Sequence, residues 1–190
     1  MNRKLSFLIT VFLFGTAFGD ANSLRPMAEN TRYGTHMAAL VTAVVNTEGP
    51  VLEMGCGDFS TTILHAICSI SNRFLLTAET NKDWMELFTD LERDWHKFKY
   101  VSSVKDWDNV GLEKHWSVVF IDHAPAERRA VDIKRLRNRT DIFVMHDTQE
   151  PSYRYDPVIA TFKYKFVYKR YNVTTTLVSD RIDVHQFFEK

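Results

Sequence analysis

Residues 51–62 read VLEMGCGDFSTT, an apolar run that breaks into two glycines and then into hydroxyl residues. Val51 to Met54 forms a short apolar strand, and STTILHAICSI, from Ser60, reads as the helix after it. Gly55 and Gly57 therefore fall in a strand-to-helix turn. Glycine there permits a sharp reversal and a close approach of backbone to a ligand, while the helix start offers N–H groups with no partner inside the helix. The same glycines also suit a plain loop, so the flanking chain has to decide between a binding turn and a simple connection.

Upstream, Thr31 to Val45 places Met37, Leu40, Val41, Val44 and Val45 at helical spacing, and Gly49-Pro50 ends the helix. Downstream, RFLLTAE predicts a second strand. NKDWMELFTDLERDWHKF predicts a long amphipathic helix with Trp84, Leu87, Phe88, Leu91, Trp95 and Phe98 on one face. KYVSSV is a third strand and WSVVFID a fourth. APAERRAVDIKRLRN is a helix with Pro125 near its first turn, and DIFVMHD is a fifth strand. KYKFVYKRY and TTTLVSD are β-rich and separated by a short turn around Asn172, which predicts an antiparallel pair. This order defines an α/β chain: a Rossmann-like, doubly wound, mainly parallel sheet with a C-terminal antiparallel hairpin.

In such a sheet ligands collect at the carboxyl ends of the strands, near the point where strand order reverses. These ends are polar here: Glu53-Met54-Gly55-Cys56-Gly57-Asp58 after the first strand, Glu79 after the second, Asp122-His123 after the fourth and His146-Asp147 after the fifth. Glu79 lies 22 positions beyond Gly57, close to the roughly 20 expected for the acidic partner of a nucleoside-binding βαβ unit. Its two oxygens can accept both hydroxyl hydrogens of a ribose. Ser60 stands where the third glycine of the dinucleotide pattern would fall, which points to a ligand with a ribose but no diphosphate.

Glu53-x-Gly55-x-Gly57, the acidic Glu79, the acidic end of the fourth strand and the terminal hairpin resemble the class I S-adenosylmethionine-dependent methyltransferases, over roughly Thr31 to Asp183. VVFIDHAPAERR and VMHDT are most similar to a small bacterial-type branch of that superfamily. The resemblance implies that Gly55, Cys56 and Gly57 wrap the methionine part of S-adenosylmethionine. It implies that Glu53 stabilises that loop or the cofactor amine, that Glu79 holds the ribose hydroxyls, and that Asp106, after the third strand, is a candidate near the adenine.

Chemistry is expected from Asp122, His123, His146 and Asp147, which adjacent strands bring to one rim, although alternation along a strand can turn one member of each pair away. In one reading Asp122 and Asp147, with His146 beside them, bind a divalent cation such as Mg2+ that lowers the pKa of an acceptor hydroxyl. This resembles the metal-dependent catechol-type O-methyltransferases, from which His146 is a departure because magnesium prefers oxygen. In the other, His146 or His123 is a general base on the acceptor and the aspartates orient the imidazole. The plain alternative is that Asp122 and Asp147 cap the loops that follow them.

Composition bounds the rest. The chain has 190 residues, 45% hydrophobic, with 24 basic and 24 acidic side chains and no formal net charge. That fits one domain and gives no global attraction to nucleic acid, which is not an expected partner. Arg3 and Lys4 precede an apolar run from Leu5 to Phe18, and Ala17 and Gly19 suit a peptidase cutting after Gly19. Residues 1–19 are therefore expected to be a signal peptide or signal anchor and residues 20–190 a single methyltransferase-like domain. The protein is expected in the secretory pathway, secreted or periplasmic, or anchored through residues 5–18, with no other membrane contact.

Cys56 and Cys68 make no metal pattern, and a helix between them holds them too far apart to pair. Asn138 and Asn172 begin glycosylation-type triplets. Arg128, Arg129, Lys134, Arg135, Arg137 and Arg139 read as a solvated basic face, partly offset by Glu127 and Asp132. Tyr153, Tyr155, Tyr164 and Tyr168 suit either packing or an acceptor pocket. The expected activity is O-methylation of a small-molecule or glycan acceptor. Because S-adenosylmethionine is made in the cytosol, the leader keeps open a secreted or lumenal binding protein on an inactive fold. No G-x-S-x-G elbow supports a hydrolase.

Overall fold

The computed structural model of the chain describes residues 31–189. The expected leader lies outside the described residues. Seven strands, β1 (Val51–Met54), β2 (Leu75–Glu79), β3 (His96–Tyr100), β4 (Trp116–Ile121), β5 (Thr140–Met145), β6 (Tyr164–Tyr168) and β7 (Thr175–Ser179), form one sheet in the order β3-β2-β1-β4-β5-β7-β6. β1 to β5 run parallel, and β7 enters antiparallel between β5 and β6. The chain works outward from β1 to β3 and then returns to β4. The carboxyl ends of β1 and β4 thus flank the crevice where strand order reverses.

Side-chain parity divides the core. Val51, Val118, Phe120, Ile142 and Val144 pack on one face with Ala39, Leu40 and Val44 of α1 (Met37–Val45) and Leu64 and Cys68 of α2 (Thr61–Ile70). Leu52, Met54, Val119, Ile121, Phe143 and Met145 pack on the other with Trp107 and with Ile133 and Leu136, two residues that lie in a helix between β4 and β5. Strands buried on both faces read as continuous apolar runs, which is why β1, β4 and β5 stand out in the sequence.

The segment expected as one long helix breaks up. It holds α3 (Lys82–Glu86), a single 3-10 turn at Thr89–Leu91, and then β3, which begins three residues before the expected KYVSSV strand. Asn81 caps α3 through its side chain, which accepts from Trp84 N–H. The helical spacing holds for Trp84 and Phe88, whereas Leu87 is exposed. From Trp95 onward the ladder with β2 takes over, starting with Leu75 N–H to Trp95 C=O at 2.7 Å. Edge-strand pairing thus overrides the local helical preference. The basic segment after β4 opens with a 3-10 turn at Ala126–Arg128 and continues as α4 (Arg129–Leu136); α5 (Asp156–Ile159) is a short helix that no periodicity announced. Among the described residues no helix is long and apolar enough to cross a membrane.

Candidate active site

The turn after β1 is fixed from several sides. Gly55, at φ +93°, continues the ladder by donating to Ala78 C=O at 2.9 Å. A Cβ at Gly55 would come within 2.6 Å of the Asp122 carbonyl oxygen, so glycine is demanded there by the end of β4 and not by a ligand. Gly57 differs: a Cβ there would meet nothing nearer than Ser60 Oγ at 3.6 Å. Cys56 N–H donates to Glu79 Oε2 (3.1 Å), Gly57 N–H to Thr61 Oγ1 (2.9 Å), and the Trp84 indole N–H to Cys56 C=O (2.8 Å).

Glu53 anchors this arrangement from below. It is fully buried and accepts from the Thr61 hydroxyl at 3.0 Å and the Thr77 hydroxyl at 2.7 Å. Burial pushes its carboxyl up to about 7 against the opposing hydrogen bonds from Ser60, Thr77 and Thr61. Of the two roles the resemblance offers it, these contacts serve the loop. Thr77 also meets His96 Nε2 (3.0 Å), and His96 Nδ1 meets His65 Nδ1 (2.9 Å). His65 thus belongs to a chain of hydrogen bonds ending at Glu53.

A cavity of about 360 Å3 opens over the turn, bordered by Tyr33, His36, Cys56, Gly57, Trp84 and Asp122. Its volume falls in the range of roughly 300–1,000 Å3 common for small-molecule sites. Asp122 and His146 share one polar end of this region: His146 Nδ1 lies 3.3 Å from Asp122 Oδ2, and its Nε2 lies 3.0 Å from Thr35 Oγ1. Arg129 forms an ion pair with Asp122 Oδ1 at 3.0 Å, donates to the Asp122 C=O at 3.0 Å and reaches toward Asp147 Oδ2 at 3.6 Å. Burial alone would raise the Asp122 carboxyl, but the hydrogen bond from His146 and the charges of His146 and Arg129 outweigh it and hold it below the ordinary carboxylate range.

His36 completes this end. It precedes α1, is 3% exposed, stands edge-on to His146 at 4.7 Å, and has no hydrogen-bond partner at either ring nitrogen. Burial, reinforced by His146 and opposed by Asp122, lowers its pKa to about 4, so the ring is neutral at pH 7. Sequence reasoning missed His36. Its only signal is its position at the start of a helix that packs on β4 and β5. Arg129 was missed as well, because it hides in a basic run that reads as solvated surface. It is in fact buried, donating to His123 C=O at 2.7 Å and lying over the Tyr153 ring. Arg128 and Arg135 likewise turn inward, onto the buried Asp132.

Not every expected residue joins the site. Parity sends His123 to the opposite face, where it is 1% exposed, bonds Asp132 Oδ2 at 2.9 Å through Nε2 and packs on Trp107. Asp147 adopts φ +58° at the start of a turn, and its Oδ2 lies 3.7 Å from His146 Nδ1, outside the closest grouping of donors. Glu79 is buried behind Cys56, with Oε1 taken by the N–H groups of Thr80 and Asn81 and Oε2 by that of Cys56. Asp106 is partly exposed and accepts from the hydroxyls of Ser102 and Ser103. Both cysteines are buried and free. Tyr155 lies in the core with Leu52 and Met54, whereas Tyr164 and Tyr168 pack against the core on the other face of the sheet.

No protein-family model matches the sequence, and no curated protein matches it. Solved structures do match the fold. An O-methyltransferase from Bacillus cereus in complex with SAH superposes with a TM-score of 0.60 at 15% identity, covering 84% of this chain and 86% of that one. The chain has the class I methyltransferase fold. The SAH-bound methyltransferase PaMTH1 of Podospora anserina gives 0.58 at 14% identity over 77% of each chain. Cofactor-bound Rv0187 from MTB gives 0.59 at 16% identity over 86% of each chain. The mainly parallel seven-stranded sheet with its antiparallel C-terminal pair is thus that of a Rossmann-like methyltransferase fold, as the sequence implied.

Proposed function

We propose that the protein is an S-adenosylmethionine-dependent methyltransferase acting on a hydroxyl oxygen of a small-molecule or glycan acceptor. The observation that carries this reading is one cavity bordered by the Cys56–Gly57 turn and by the polar pair His36 and Asp122. The turn fits the cofactor: a Cβ at Gly57 would meet nothing nearer than Ser60 Oγ at 3.6 Å, so the backbone of the turn is approachable from the cavity that it borders. Bound there, S-adenosylmethionine would supply an electrophilic methyl group.

The chain's own groups do the rest. Trp84 and Glu79 hold the turn in place from behind. At the polar end, the ionised Asp122 and the neutral His36 present lone pairs to an acceptor hydroxyl, so its proton is drawn to one side of the cavity. His146 sits behind Asp122 with both ring nitrogens engaged, which makes it a group that positions Asp122. The SAH complexes among the fold neighbours support the cofactor, and the apolar run 5–18 supports placement in the secretory pathway.

The test is calorimetric titration of the full chain with S-adenosylmethionine and S-adenosylhomocysteine. Micromolar binding, which corresponds to about −8 kcal/mol, is the expected result. Folded protein that binds neither compound would refute it and leave an exported binding protein built on the same fold.

A further inference from the structure

His36, Asp122 and His146 offer one donor atom each, all within 4.8 Å of one another. The three come from separate parts of the chain: the start of α1, the end of β4 and the end of β5. We propose that these side chains bind one nitrogen-preferring divalent transition metal of the zinc class, with its remaining coordination position open to the cavity.

The donor chemistry selects the metal. Two imidazoles and one carboxylate do not fit magnesium, which takes oxygen ligands and keeps much of its water, whereas imidazole suits zinc, iron, cobalt and nickel. Three protein ligands with an open fourth position is the arrangement of catalytic sites. Both His36 and Asp122 border the cavity, so that position faces it. Tetrahedral donors about 2.0–2.2 Å from a metal stand roughly 3.4 Å apart. The widest pair, at most 4.8 Å apart, therefore closes by up to about 1.4 Å, within reach of ring and carboxylate rotations.

Two further observations point to a ligand. His36 is buried with both ring nitrogens unpartnered, a state that is unfavourable unless something is bound there. The outer partners that orient metal ligands are also in place. Arg129 grips Asp122 Oδ1 and leaves Oδ2 turned toward His146. Thr35 Oγ1 meets His146 Nε2. A hydroxyl both donates and accepts, so Thr35 supports either tautomer of His146, including the one with its proton on Nε2 and its Nδ1 lone pair directed at a metal.

The metal site rests on the geometry of the triad alone, and only its service to an acceptor hydroxyl rests on the methyltransferase reading. The experiment is therefore run without S-adenosyl compounds. The full chain is stripped with a chelator and titrated with Co2+, reading the visible d–d absorption, then with Zn2+ and Mg2+ in competition. Saturation at one equivalent, displacement by Zn2+ and indifference to Mg2+ are expected. His36→Ala and His146→Ala should abolish the absorption, and His115→Ala, at an exposed histidine, should leave it intact. Thr35→Val should weaken binding 10- to 100-fold. Should His36→Ala fail to fold, His36→Asp retains a ligand and should bind Co2+ with a shifted spectrum. No saturable absorption, or absorption unchanged in folded His36→Ala, would overturn the site. Cofactor binding measured on the same preparation stands or falls separately.

Discussion

Alanine at Gly55 and at Gly57 should separate the mechanical from the binding role of the turn. At Gly55 the backbone has φ +93°, and an added Cβ would lie 2.6 and 2.7 Å from the Asp122 carbonyl oxygen and carbon and 2.8 Å from His123 N. A non-glycine residue in that region costs about 1–3 kcal/mol, and forcing backbone apart where packing is tight costs about 1–3 kcal/mol more. Gly55→Ala is therefore expected to lose about 2–6 kcal/mol, a large part of the roughly 5–15 kcal/mol that holds a domain together. At Gly57 the nearest atom, Ser60 Oγ at 3.6 Å, is in ordinary contact, so stability should change by less than about 0.5 kcal/mol. Gly57 borders the cavity, and a methyl group there should weaken S-adenosylhomocysteine at least about tenfold, or 1.4 kcal/mol. Urea unfolding followed by tryptophan fluorescence and calorimetry of each variant make the comparison. Gly57→Ala that binds at wild-type affinity would remove the turn from the cofactor site, and a stable Gly55→Ala would refute the strain argument.

Three other outcomes are expected. The Glu53 carboxyl, raised from 4.5 to about 7 by burial, favours the folded state fully below its unfolded value and loses that contribution as pH rises through 7. At 1.36 kcal/mol per unit this is on the order of 3 kcal/mol. The difference between wild type and Glu53→Gln in urea unfolding from pH 5 to 8 should show it, free of His36 and His96, whose lowered values act in the opposite sense by costing stability as pH falls below 6.5. Asp132→Ala leaves the buried His123 and the half-buried Arg128 and Arg135 without the buried carboxylate that they share and should cost about 3–5 kcal/mol, while cofactor affinity of the folded protein stays the same; a loss of affinity would return His123 to the site. Arg129→Met takes the countercharge from Asp122 and Asp147 and should cost a similar amount, and wild-type stability in that variant would show the clamp to be idle.

What could be read from the sequence was what repeats along the chain. β1, β4 and β5 are apolar without interruption because both faces are covered, and β6 and β7 carry β-rich runs around a turn. β3 was placed three residues too late, since His96 to Phe98 continue a helical pattern and become strand only by pairing with β2. The strand-end acids and histidines were visible as types, but their partners were not. His36 is brought to Asp122 by a helix whose docking no local pattern encodes. Arg129 shares its spelling with exposed arginines and differs only in having two aspartates within reach.

One feature of the site did lie in the sequence, in the order of two dipeptides. β4 ends in Asp122-His123 and β5 in His146-Asp147, and the two strands run parallel with Ile121 opposite Met145. One step further, Asp122 stands opposite His146, whose N–H donates to Ile121 C=O at 3.2 Å, whereas Asp147 turns out of the ladder at φ +58°. Alternation then puts Asp122 and His146 on one face of the sheet and His123 on the other. Had β5 ended in the same order as β4, two carboxylates, suited to magnesium, would share the first face. The reversed order places a single carboxylate and a single imidazole beneath His36. That mixture fits a metal that accepts nitrogen. It also accounts for the fate of His123, which the same parity sends to the far face, where Asp132 of α4 and not Asp147 supplies its hydrogen bond.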